Sequence, residues 1–126
     1  MTQEEQKGLL LRDLSARLQY GVKCKLIYSN KSIKDEDATL FAVDKFGHFL
    51  FAEFGEDTRE FVCKPYLRPM SSMTEEEKSQ YSFFLTRIVF AYDASKLIDW
   101  LNAHHFDYRG LIPLGLANDA TGLNIY

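Results

Sequence analysis

Residues 102–112, NAHHFDYRGLI, bring two histidines, an aspartate, a tyrosine and an arginine into one short stretch. Such side chains can serve acid–base chemistry, ligate a metal or hold an anion. His104 and His105 are adjacent, so on a helix they diverge by about 100 degrees and do not converge on one ion. A helical metal pair needs a four-residue spacing, as in HExxH, and that motif is absent. A turn can bring either histidine to Asp107, whereas His48 joins them only through the fold. The spacing assigns these histidines a structural or surface role, with no metal and no catalytic residue. Arg109 offers paired N–H donors to a carboxylate or phosphate, or pairs with Asp107. Asp99 and Asp107 are a carboxylate pair only if the fold sets their separation.

Other reactive residues are scattered. Cys24 falls on the inward side of an alternating segment, where burial suppresses thiol reactivity. Cys63 is far away in sequence, so the two form no CxxC and both read as structural thiols; a disulfide between neighbouring strands is the alternative. Ser71 and Ser72 precede a helix and suit capping or a turn. The chain has no GxSxG, GxxxxGK[ST] or GxGxxG, which removes the usual hydrolase, P-loop and dinucleotide-binding readings. No cofactor is called for.

Binding candidates are more numerous. Lys23 and Lys25, with Lys31, Lys34 and Tyr28, compose a strip suited to single-stranded nucleic acid through charge and stacking. Asp35, Glu36 and Asp37 dilute it. Phe46 at a hairpin tip, Tyr66 and Trp100 are candidate protein contacts, and Arg109, His104, His105 and Asp107 join them as candidate binding residues.

The elements that must position these residues follow from patterning. Thr2 and Glu5 match a capping box for a helix over 3–19, with Leu10, Leu14 and Leu18 in one stripe and Gly21 as a left-handed cap. VKCKLIY, 22–28, alternates as a strand. Residues 29–38 read as an exposed loop. TLFAVD and HFLFAEF flank Lys45-Phe46-Gly47 as an antiparallel hairpin. Both of its faces carry apolar groups, which a curled barrel or a sheet covered by helices accommodates. Residues 60–64 add a short strand. Residues 64–73, with Pro65 and Pro69, read as a connection. Thr74 and Glu77 cap a second helix over 75–90, although Arg87–Phe90 is also strand-like. Asp93 caps a third over 94–104, with Ala94, Leu97, Ile98 and Leu101 inward. The tail from Phe106 wraps without a long element. The expectation is a single compact α+β domain over 1–126, a small antiparallel sheet or SH3-like partial barrel packed with three helices.

Bulk properties narrow the class. Hydrophobic residues are 46% of 126, enough to build a core without disulfide or metal. The formal net charge is −3, from fifteen basic and eighteen acidic residues, which weighs against duplex DNA. The N-terminal MTQEEQKG lacks the pattern of a signal peptide, and no apolar run is long enough to span a bilayer, so a cytoplasmic protein with no membrane partner is expected.

Three segments carry a likeness: LLLRDLSARLQYGVKCK, KPYLRPMSSMTEEEK and DWLNAHHFDYRGLIPLGLA. In these the chain resembles a family of small uncharacterised proteins from gut Bacteroides-like bacteria and their phages or mobile elements. It departs from that pattern in the middle hairpin and at Pro113-Leu114, where the family often has a charged pair. The resemblance implies an accessory or regulatory setting and carries no catalytic assignment. A non-enzymatic module for an unidentified protein partner is therefore the leading expectation. A nucleic-acid-binding accessory protein comes second, and a small enzyme or metal-binding protein using the histidine-rich turn third.

Overall fold

The computed structural model describes residues 1–29, 32, 34–45, 48–52 and 61–126. Helix α1 (Gln3–Ala16) opens on Thr2, whose hydroxyl accepts the Glu5 amide at 3.1 Å. Leu14 is fully buried, and Leu9, Leu10 and Leu18 pack against the same core. The helix ends before the expected residue 19 because the Arg17 amide turns back to the Leu14 carbonyl. Leu18–Tyr20 tighten into a 3-10 turn, and Gly21 closes it at φ 65°, a left-handed conformation that favours glycine.

Strand β1 (Lys23–Tyr28) pairs antiparallel with β2 (Glu36–Val43) on one side and with β4 (Phe61–Leu67) on the other. Strand β3 (Phe49–Phe51) extends the sheet beyond β2, and the two-residue β5 (Asn118–Asp119) runs parallel to β4. The order is β3-β2-β1-β4-β5, an open sheet rather than a closed barrel. The hairpin expected from TLFAVD and HFLFAEF is present as β2–β3, with an irregularity between Leu40 and Ala42.

Two expectations about the sheet change. Glu36–Ala38 belong to β2 and not to a loop. Lys64–Leu67 complete β4 and not a connection, despite Pro65. Pro65 lies opposite Cys24, and β4 gains its second neighbour only at Tyr66, opposite Asn118. At Pro65 one side of the strand is still unpaired, and a nitrogen without hydrogen is tolerated there. The sheet also buries one face far more than the other. Cys24, Leu26, Tyr28, Ala38, Leu40, Phe51, Cys63 and Leu67 share the core with Leu14, whereas Phe41 and Val62 on the outer face are more than half exposed.

Helix α2 (Glu75–Thr86) starts at a complete capping box. The Thr74 hydroxyl accepts the Glu77 amide at 3.1 Å, and the Glu77 carboxylate accepts the Thr74 amide at 2.9 Å. The helix stops at Thr86, not 90, and 87–90 form a turn with no strand. Asp93 supplies the reason. Its carboxylate takes the amides of Val89 and Phe90, at 3.2 and 3.1 Å, which a continuing helix would have bonded to carbonyls four residues back. Asp93 is therefore not the N-cap of a helix over 94–104: α3 (Ala91–Ala103) begins three residues before residue 94 with Phe90 as its N-cap, and Asp93 is its third residue. Leu97 and Leu101 face inward, while Ile98 is exposed. Met73, Leu97, Leu101 and Phe106 form a second core, with Tyr81, Phe84, Trp100 and Tyr108 packed against it.

Candidate functional site

The 102–112 stretch joins the two cores. Phe106 is fully buried, and its carbonyl accepts Arg17 Nη2 at 2.7 Å. Arg17 also binds Asp13 through Nε to Oδ2 at 2.9 Å and Nη2 to Oδ1 at 3.0 Å, with both side chains inaccessible to solvent. On the other side the Arg68 amide donates to the His105 carbonyl at 2.7 Å, and the Asp107 amide donates to the Arg68 carbonyl at 2.8 Å. The Arg68 guanidinium lies 4.3 Å from the centre of the Phe106 ring and grips Glu77 with bonds of 2.6 and 2.9 Å. The paired donors hold the Glu77 carboxyl down at about 2.

Within this knot most of the chemically suggestive groups are engaged by neighbours, while His105 Nδ1 and Arg109 Nη1 are buried without a hydrogen-bond partner among the described residues. His104 lies against Trp100 with ring centres 4.6 Å apart, and its Nδ1 lies 2.9 Å from the Trp100 carbonyl, a hydrogen bond made when Nδ1 carries a proton. His105 is buried at φ 62° and stacks on Tyr126 at 3.5 Å. Burial first, then the charges of Arg17 and Arg68, push its imidazole down to about 4, so it is neutral near pH 7. Asp107 gives one carboxylate oxygen to the Leu111 amide at 2.8 Å and the other to the Ile112 amide at 2.9 Å, tying down the turn. The Arg109 guanidinium lies 5.0 Å from the Tyr108 ring, and Nη1 stands 3.6 Å from Asp13 Oδ1. His48 is on the β2–β3 hairpin, with Nδ1 3.0 Å from Asp44 Oδ2. Among the described residues no three histidine, cysteine or acidic side chains are placed to hold a metal ion. Cys24 and Cys63 are buried free thiols.

The basic strip is dispersed in the same way. Lys23 Nζ donates to Thr39 Oγ1 at 2.8 Å, and Lys25 stands opposite Asp37 in the ladder. Tyr28 is buried, with its hydroxyl 2.8 Å from Glu36 Oε2, so it is no stacking platform for bases. Tyr66, expected as a contact residue, is also buried. Its hydroxyl donates to Asp37 Oδ1 at 2.7 Å, and burial with that carboxylate raises it to about 12. The Tyr126 hydroxyl bridges the β1 and β4 backbones, accepting the Lys23 amide at 2.7 Å and donating to the Tyr66 carbonyl at 2.8 Å. Phe46, Lys31, Glu60 and the turn Gly55-Glu56-Asp57 lie outside the described residues.

Of the surface that stands out, only Trp100 was among the expected contacts. Around the end of α2, the connecting turn and the start of α3, Leu85, Ile88, Val89, Phe90 and Tyr92 face solvent; Val89 is 74%, Phe90 72% and Tyr92 68% exposed. Phe83 on α2 and Ile98 on α3 are also exposed. Beside this apolar turn is an open groove of about 400 Å³ lined by Ser79, Gln80, Phe83, Phe84 and Trp100. Among the lining residues Trp100 is held 5.8 Å from Phe84, and it stacks 6.3 Å from Tyr81, with Nε1 donating to Gln80 Oε1 at 3.3 Å. The sequence signal was the run Ile88-Val89-Phe90-Ala91-Tyr92. Consecutive apolar residues at every position cannot all be buried by one helix face.

No family model matches the chain, and no curated protein or solved structure matches it. Among the described residues no helix is long and apolar enough to cross a membrane.

Proposed function

We propose that the chain is a non-enzymatic protein-interaction module that docks through α2, α3 and the turn between them. The observation that carries this reading is the exposure of Val89, Phe90 and Tyr92 beside the groove over Trp100. Val89, Phe90 and Tyr92 follow one another in and just after the turn, and the two aromatics, at roughly 150–250 Å² of area each, are mostly uncovered. Contiguous exposed apolar patches above about a few hundred Å² mark contact surfaces. Aromatic anchors beside a pocket are also the usual composition of an interface centre. With the resemblance to mobile-element proteins, the module would serve as an accessory protein whose output is its contact.

The competing readings have less support. Stacking of bases on the lysine strip needs an open aromatic, and Tyr28 is buried. Acid–base work by His104, His105 and Asp107 needs free ring nitrogens and a free carboxylate beside a cavity, and the Asp107 oxygens are spent on backbone amides. The test is site-specific photo-crosslinking in cells. A photoreactive amino acid at Tyr92 should give discrete crosslinked products, and one at exposed Gln3 of α1 should not. Equal yields, or none at Tyr92, would overturn the reading.

A further inference from the structure

Away from the helix pair, we propose that the His105 ring, the Lys23 amide and the Tyr66 carbonyl form a binding slot for a para-substituted phenol, held shut by the chain's own Tyr126. Three observations carry this. The first is that the contacts of Tyr126 are a complete recognition set for such a group. Its ring stacks on the His105 ring with centres 3.5 Å and planes 11° apart. Its hydroxyl accepts the Lys23 amide at 2.7 Å and donates to the Tyr66 carbonyl at 2.8 Å. Only a group that both accepts and donates satisfies the two; a carboxylate or an ether oxygen accepts alone. The hydroxyl stands where two strands part. β1 and β4 pair directly from Tyr28 and Phe61 to Cys24 and Pro65, and one step further Lys23 and Tyr66 meet through it.

The second is that the walls are fixed by bonds other than those to Tyr126. The His105 amide donates to the Asn102 carbonyl at 3.0 Å, and the His105 carbonyl accepts the Arg68 amide at 2.7 Å. In the sheet Lys23 is paired with Thr39, and Tyr66 with Asn118. His105 is 9% exposed, and it holds φ 62°, a left-handed backbone uncommon outside glycine. Such strained residues, over-determined by their surroundings, cluster at ligand clamps. A slot with fixed walls binds without first having to be ordered.

The third is that the plug is lightly held. Tyr126 is 44% exposed and stands outside both cores. Residues 121–124, which lead to it, are exposed, and their bonds are local. The Thr121 amide donates to Asp119 Oδ1 at 2.8 Å, and the Leu123 amide to the Ala120 carbonyl at 3.1 Å. A short tether of this kind keeps its end group at an effective concentration on the order of millimolar. A phenol in trans therefore enters readily only when Tyr126 is removed.

Tyr126→Gly clears the slot, and p-cresol is the probe. p-Cresol should raise the Tm of this variant in a saturable way and shift the Lys23 amide resonance in NMR spectra. Toluene, which has the ring without the hydroxyl, should need at least tenfold more for the same effect. The unaltered chain should respond at least tenfold more weakly than the variant. The peptide TGLNIY, residues 121–126, separates the two sources of a phenol. Half-saturation at least tenfold below that of p-cresol supports the slot as a reader of tyrosine in a polypeptide; equal or weaker binding supports it as a site for a small phenol. Tyr126→Phe keeps the ring and loses the hydroxyl, so the Lys23 amide should exchange its hydrogen at least tenfold faster than in the unaltered chain. That reading does not depend on the glycine variant folding. Unchanged exchange at Lys23 in Tyr126→Phe, or toluene acting as well as p-cresol on Tyr126→Gly, overturns the inference.

Discussion

Replacing Asp13 with asparagine should be the most damaging isosteric change in the chain. The Asp13 carboxylate accepts two bonds from Arg17, and neither side chain reaches solvent. Asparagine keeps the shape but removes the charge, leaving the Arg17 guanidinium buried without its counter-ion. Arg109, 3.6 Å from the same carboxylate, loses its nearest anion as well. Breaking one partner of a buried pair costs about 3–5 kcal/mol, because the remaining charge stays desolvated. For a chain of this size that is a drop in Tm of roughly 10–20 °C. Arg17 also holds the Phe106 carbonyl, so the loss should reach the second core. The assay is urea and thermal unfolding followed by the fluorescence of Trp100, the only tryptophan, with circular dichroism alongside. Asp13→Leu combined with Arg17→Met, which removes both charges, should be less harmful than Asp13→Asn alone. A loss under about 1 kcal/mol for Asp13→Asn would refute the view that this pair carries the joint between the two cores. A double variant as unstable as the single would shift the cause to the Arg17–Phe106 bond.

Two further outcomes concern pH. His105 ordinarily titrates at 6.5 and sits at about 4 in the fold, so the unfolded chain takes up the proton first as pH falls. Stability should therefore be full above 6.5 and decline between 6.5 and 4, by up to about 3 kcal/mol. His105→Asn, which tolerates the positive φ, should flatten that slope in chemical denaturation at stepped pH; an unaltered slope would exonerate His105. Glu77, held at about 2 against an ordinary 4.5, contributes stability that is complete above 4.5 and lost as pH falls towards 2. Glu77→Gln should lower stability at neutral pH and remove the acid limb in that window, and retention of the limb would place it on other carboxylates.

Where local pattern and global packing agreed, the sequence was readable. Alternation in VKCKLIY gave β1, and Thr74 with Glu77 gave the start of α2, because each depends on neighbours a few residues apart. Errors arose where a distant partner decides the outcome. Pro65 reads as a break, yet β4 continues through it because the strand on that side begins one residue later, at Tyr66 opposite Asn118. Leu85, Ile88 and Tyr92 have the spacing of a buried helical stripe, but α2 ends at Thr86, Asp93 takes the amides of Val89 and Phe90, and all three side chains are exposed. Spacing reports amphipathicity; it does not report which surface exists to cover the stripe.

The same distinction explains why the histidine-rich stretch drew attention and the apolar turn did not. Reactive residue types concentrated in NAHHFDYRG resemble a site in one dimension. In three dimensions the stretch passes between two cores and backbone and aromatic neighbours engage much of it, while His105 Nδ1 and Arg109 Nη1 are buried without a hydrogen-bond partner among the described residues. Asp107 closes a turn, His105 stacks on Tyr126, and Arg17 and Arg68 anchor the chain from opposite sides. That rigid joint fixes the end of α3 and so fixes Trp100 under the groove. On the proposed docking reading, the polar knot would pre-organise the helix pair, so that a partner meeting Phe90 and the groove would not have to order them first.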